Sequence, residues 1–233
     1  MYPAWLTIPA ARPELQSTVG WWKKAGCGIA LWRDPGAEPI QADYLICDAY
    51  PGYARAVNQL IERVMQVDRE CDWFIAAGDD VMPDPHKTAE QIACELVDHF
   101  KGTWGVMQPT GHRWGDHKGA YIDRAAGSAW IGREFCRRVY GGNGPLWSAF
   151  HHMFVDEHLQ CVAQKLGVFW QRTDLAQIHQ HWGLPRSGER MAPASRKPKF
   201  LEYVNSAAHW AEARAEFERL KAGGFAEAND LLP

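Results

Sequence analysis

Two adjacent carboxylates, Asp79 and Asp80, follow the apolar run WFIAA at 73–77 and the single glycine Gly78. Such a run reads as a strand covered on both faces, and the glycine lets the chain turn as it leaves the sheet. Hard carboxylate oxygens at the carboxyl end of a strand suit a divalent cation, Mn²⁺ or Mg²⁺, that holds a diphosphate. The plainer alternative is a polar loop closed by Pro83 and Pro85. Farther on, QIHQHW at 177–182 sets His179 and His181 two residues apart after a strand. Both imidazoles leave the same side if the strand continues, either as further metal ligands that suit Mn²⁺ better than Mg²⁺ or as a surface pair. A second acidic pair, Asp156 and Glu157, opens a segment with Leu159, Val162, Ala163 and Leu166 on one face. Asp156 works as a general base near neutral pH if it is partly desolvated or held against a hydroxyl. The competing reading is a helix cap with favourable dipole charge.

These side chains need a frame that delivers them to one rim. Strands are predicted at 6–9, 28–32, 44–47, 73–77, 104–107 and 168–171, and helices at 13–24, 53–65, 87–100, from Arg133, and at 156–166 and 200–221. Strands alternate with helices through the first hundred residues, which implies an α/β fold: a mostly parallel sheet with helices on both sides. The second half is less regular, with a Gly-, His- and Arg-rich loop at 110–124, the stretch GSAWIG, and a GGNGPLW turn at 141–147. The Pro-, Ser- and base-rich segment 185–199 reads as a mobile loop before a terminal helix.

With 233 residues the chain is long enough for one large core. A net charge of −3 gives no global pull toward nucleic acid or anionic membrane. The six cysteines contain no CxxC pair, which fits reduced thiols and a cytoplasmic protein. No run approaches the ~18 apolar residues of a membrane span.

With these elements placed, the chain resembles the GT-A glycosyltransferases, in particular family 2-like members, over about residues 4–182. GYARAVNQLI at 52–61 resembles that family's Gly-aromatic-Ala-x-Ala-x-Asn helix start, GDDV its Asp-x-Asp metal motif, and DEHLQCVAQKLG at 156–167 its acidic motif with a glycine closing the helix. Gly78 departs from the pattern, since it stands where many members carry the first aspartate. No Gln-x-x-Arg-Trp motif is present, which argues for single transfer.

The resemblance implies transfer of one sugar from a nucleoside-diphosphate sugar, UDP favoured, to an acceptor hydroxyl with inversion. It makes Asp80 the principal metal ligand, joined by His179 or His181, with Asp79 touching ribose or metal. Asp156 becomes the base, with Glu157 second. Pro9, Ala10, Arg12, Asp34 and Arg55 would line the donor, and Arg190 and Lys197 would close over its diphosphate. Gly127, Ser128, Trp114 and Trp130 would face the acceptor, which is a glycan, a small molecule or a hydroxylated DNA base. Residues 1–108 form the nucleotide half and 109–184 the acceptor half of one domain, with 185–233 as basic loop and helix. The rival readings are a nucleotidyltransferase, disfavoured because TIPAARPE lacks a Gly-rich phosphate loop, and a non-catalytic sugar- or nucleotide-binding module.

Overall fold

The computed structural model describes residues 2–9, 15–37, 39–110, 128–176, 178–179 and 206–231. Its centre is a seven-stranded sheet. The strands are β1 (Ala4–Pro9), β2 (Gly28–Arg33), β3 (Tyr44–Cys47), β4 (Trp73–Ala77), β6 (Val106–Pro109), β7 (Ser128–Gly132) and β8 (Phe169–Arg172), in the order β3-β2-β1-β4-β7-β6-β8. Four neighbouring pairs are parallel, as the alternating pattern predicts. The exception is β7, which runs antiparallel to both β4 and β6. GSAWIG carries no turn signal that would announce this reversal, so the sequence leaves its direction open. A two-stranded unit of β5 (Val81–Met82) and β9 (Ile178–His179) sits apart from the main sheet.

Alternation along the central strands explains why both faces are covered. Leu6, Ile8, Ile29, Leu31, Trp73 and Ile75 join one core with Leu15, Val19 and Trp22 of α1 (Leu15–Lys24) and Ile92 and Leu96 of α3 (Ala89–Phe100). Trp5, Ala30, Trp32, Phe74 and Ala76 join the other, with α2 (Tyr53–Val67), α4 (Arg133–Arg138) and α5 (Val155–Lys165). Phe217 and Leu220 of α6 (Ala207–Ala222) and Ala228 of the following 3₁₀ turn, Ala226–Leu231, belong to this second core. The helix starts follow local chemistry. Thr88 and Gln91 form a reciprocal capping box at α3, and the Ser206 side chain caps α6.

One buried amide ties α2 to the glycine turn. Asn58 donates from Nδ2 to the Leu146 carbonyl at 2.7 Å and accepts the Leu146 N–H at Oδ1 at 3.0 Å. Gly144, at φ +97°, lies where a Cβ would come within 2.5 Å of the Asn58 side chain. Asn58 and the GGNG turn are therefore one structural unit, with the amide satisfied by backbone groups it alone can reach.

Candidate active site

The acidic turn is held from beneath by α1. Thr18 Oγ1 donates to the Asp79 carbonyl at 3.0 Å, and Trp22 Nε1 donates to the Val81 carbonyl at 2.8 Å. Residues four apart share a helix face, so one helix turn secures the carbonyls of Asp79 and Val81 on either side of Asp80. Asp80 is buried, at 7% exposure, and not the open strand-end carboxylate the sequence suggests; Asp79 is half-buried. The side chain of Asp80 folds back over Gly78, where an added Cβ would lie 2.9 Å from Oδ1. The contact is with the tip of a flexible carboxylate, which would have to turn aside for a larger residue at 78.

Asp156 occupies the first turn of α5. The N-cap position is Phe154, with φ +65°, and no side chain caps the helix. Asp156 is thus not the N-cap, because the helix begins one residue earlier than the sequence suggests, but with Glu157 it lies in the first turn, where the favourable dipole charge of that reading holds. Asp156 is half-buried and Glu157 is exposed on the same turn.

Tyr53, the first residue of α2, connects the two carboxylates. Burial raises its phenol well above the ordinary range, and the charges of Asp156 and then Asp80 add to the rise, with Tyr50 contributing between them. The start of α2 meets the segment just before α5 through backbone and ring contacts, and the acidic turn after β4 lies close enough for its charge to reach Tyr53. Two histidines just before α5 complete the group. The ring of His152 meets Tyr53 edge-on at 5.9 Å, and that of His151 meets Tyr50 at 5.7 Å. His209 from α6 stacks on His151 at 5.2 Å. The His151 carbonyl accepts the Tyr53 N–H at 2.6 Å. Gly52 must be glycine here, with φ +100° and a hypothetical Cβ 2.7 Å from His151 Nδ1.

The expected donor residues divide. Pro9 ends β1 at this rim, half-buried. Asp34 is exposed just beyond β2, and its Oδ1 accepts the Tyr50 N–H at 3.0 Å. Arg55 is exposed on α2 and its Nε donates to the Ser148 carbonyl at 3.2 Å. A cleft of about 930 Å³ runs from Arg55 along α2 and the Gly141–Gly144 turn. Ser128 is buried beside Ala77, its register partner. Trp130 is corrected as an acceptor contact: at 2% exposure its indole packs in the core and presents no face to a ligand. Ala10, Arg12, Trp114, Gly127, His181, Arg190 and Lys197 lie outside the described residues.

The implied cation is tested against this chemistry. Asp80 supplies a buried oxygen donor set beside Asp79, and the β5–β9 pairing puts His179 opposite Val81, one residue from Asp80. Among the described residues no cluster of three His, Cys, Asp or Glu side chains is arranged for metal. The carboxylate oxygens of Asp79 and Asp80 are of the kind a hard divalent ion takes. The sequence reading missed Tyr50, Tyr53, His151, His152 and His209. Their nearest signals are the aromatic position of the GYARA motif and the HHMF run just ahead of Asp156.

No protein-family model matches this chain, and no curated protein matches it. Among solved structures, the catalytic domain of Drosophila beta1,4-galactosyltransferase 7 in complex with xylobiose is similar at a TM-score of 0.49 and 13% identity, over 83% of this chain and 79% of that one. A mutant of that Drosophila enzyme in complex with manganese, UDP-Gal and xylobiose gives a TM-score of 0.46 and 12% identity over the same shares. Likeness at this level leaves function to be argued from the residues themselves. Among the described residues no helix is long and apolar enough to cross a membrane.

Proposed function

We propose that this chain is a metal-dependent glycosyltransferase of GT-A type, which moves a single sugar from a nucleoside-diphosphate sugar, UDP favoured, to an acceptor hydroxyl with inversion. One observation supports the reading: Tyr53 lies within electrostatic reach of both Asp80 and Asp156, so a candidate metal carboxylate and a candidate base share one neighbourhood. Sugar transfer needs those two functions side by side, one at the diphosphate and one at the acceptor hydroxyl.

Asp80 would hold Mn²⁺ or Mg²⁺ with His179 or His181, and Asp79 would touch the ion or the ribose. When bound, such an ion supplies Lewis acidity at the leaving diphosphate. Asp156 takes the proton from the acceptor hydroxyl as that oxygen bonds to the anomeric carbon, and the carbon–oxygen bond to the diphosphate breaks on the opposite face. An aspartate acting as base, without a glycosyl-enzyme bond, inverts the anomeric centre. Pro9 and Asp34 would border the nucleobase, and Arg55 would approach the donor phosphates. Arg190 and Lys197 are candidates for the diphosphate on charge alone. The acceptor class stays a glycan, a small molecule or a hydroxylated base.

The test is a panel of nucleotide sugars with and without Mn²⁺, read by calorimetry and by hydrolysis of donor. Metal-dependent binding with turnover supports the enzyme. Binding without turnover, given a full set of acceptors, would instead identify a non-catalytic binding module.

A further inference from the structure

We infer that Phe154 is a positioning residue for Asp156: the left-handed backbone at this one residue, locked by two aromatic rings of α6, fixes where the first turn of α5 stands against the start of α2. The inference rests on the glycosyltransferase reading above, and it gives α6 a task that no motif marks. Four described residues other than glycine have φ in the left-handed region. Three of them, Lys101, Tyr140 and Phe225, follow the ends of α3, α4 and α6, where that conformation is a common way to close a helix. Phe154 alone opens one, with φ +65° at a position that ordinarily takes the extended region. A bulky side chain is sterically opposed to this backbone, and such strain persists only where neighbours impose it.

The neighbours are aromatic. The ring of Phe154 stacks on Phe217 at 5.3 Å, and Trp210 meets it edge-on at 5.5 Å. Phe217 is itself buried in the second core, so the clamp is anchored to the body of the protein. The segments on either side of Phe154 are tied down independently of it. Upstream, the His151 carbonyl accepts the Tyr53 N–H, and the His151 ring stacks on His209, a third contact from α6. Downstream, Val155 and Leu159 are buried, and the Phe154 carbonyl accepts the His158 N–H at 2.9 Å, the first bond of the helix. His152, Met153 and Phe154 therefore join a segment fastened to α2 with a helix fastened in the core. With both flanks held, the dihedral at 154 sets the angle at which α5 leaves that segment, and Asp156 stands two residues beyond it. No side chain caps this helix, so the clamp holds its first turn where a cap would otherwise do so.

Phe154→Ala and Phe154→Gly separate backbone from ring. Both remove the clamp, but alanine resists the left-handed region by the equivalent of about tenfold in population, whereas glycine enters it freely. Each variant is titrated with UDP and Mn²⁺ and assayed for transfer, or for donor hydrolysis, per folded molecule well below its melting temperature. Hydrogen exchange is followed at the His158 amide, the first bonded N–H of α5. The expected result is nucleotide affinity within about twofold of wild type in both. Phe154→Ala should lose about tenfold in rate and exchange the His158 amide about tenfold faster, and Phe154→Gly, although it removes more of the side chain, should lose clearly less of each. Phe217→Leu, which loosens the clamp and leaves residue 154 in place, should fall between wild type and Phe154→Ala. A loss in Phe154→Gly equal to or above that in Phe154→Ala would trace the effect to ring volume, and wild-type rate and exchange in both would reduce Phe154 to packing; either overturns the proposal. A matching loss of UDP and Mn²⁺ affinity would move the residue to the donor pocket and overturn it as well. Wild type that neither transfers sugar nor hydrolyses donor refutes the glycosyltransferase reading; exchange that still separates alanine from glycine would then uphold the hinge, and exchange alike in both would overturn that too.

Discussion

Val81 and His179 are register partners across the short antiparallel pair β5–β9. The pairing brings Ile178–His179 beside the residue immediately after Asp80, so two stretches read from the sequence as candidate metal ligands meet through backbone pairing. Trp22 fixes the same residue from the other side, through the Val81 carbonyl. A strand of two residues has little stability of its own. Its place depends on α1 and on the turn it borders.

Asp80→Asn is therefore expected to lose at least about tenfold in Mn²⁺-dependent UDP affinity, since it removes a charged oxygen donor without changing side-chain volume. Because Asp80 is buried against Gly78, Asp80→Ala would mix metal loss with a packing defect, and the isosteric change is the cleaner probe. Unchanged metal-dependent affinity in calorimetry, with the variant folded, would take the metal away from Asp80.

Asp156→Asn is expected to keep nucleotide affinity and lose at least about 10²-fold in transfer, the lower range for removing a general base. Glu157, exposed on the same helix turn, should tolerate Gln far better. Single-turnover rates decide: a greater loss in Glu157→Gln would reassign the base.

The frame was legible where period and direction agree. WFIAA (73–77) and YLIC (44–47) are strands over the predicted residues, and β1, β2 and α2 extend by one or two residues beyond them. Residues 104–107 read as a strand, but Gly105 packs its Cα against Phe100, where a Cβ would come within 2.5 Å, and β6 begins at Val106. The antiparallel β7 escaped because a buried strand reads the same in either direction. At the site, the carboxylates stood out by type and spacing. Tyr53 and His152 did not, because the neighbours they meet are remote in sequence, and an aromatic at a helix start is ordinarily core. Trp130 shows the converse error: an indole near a presumed acceptor loop that the sheet buries.

Asn58→Ala should destabilise the fold by about 1–3 kcal/mol, because it leaves the Leu146 N–H without its buried acceptor. Gly144→Ala should cost a comparable amount by a different route, through its positive φ and its contact with Asn58. The two residues touch, so the double variant should fall short of the sum. Urea unfolding of the singles and the double checks this, and strict additivity would show that amide and turn act independently.

Acid should weaken the metal-free protein, and His152 supplies a signed expectation. Its folded pKa of about 4 lies below the ordinary imidazole value of 6.5, so between these values the unfolded chain binds the proton more readily than the native one. Stability therefore rises with pH across that window, is complete above about 6.5, and is lost as pH falls toward 4. The gap bounds the effect at about 3 kcal/mol, less whatever solvent screening removes at the exposed part of the ring. Burial also lowers the pKa of His151 and of His158, whose Nε2 lies 2.7 Å from Glu227 Oε1, so those residues push the same way. Urea midpoints at pH 7.5 and 5 in EDTA should consequently fall farther for wild type than for His152→Phe, with a residual slope left in the variant by His151, His158 and His99, whose pKa burial also lowers. An identical pH response in both proteins would mean that His152 is not held neutral by the fold.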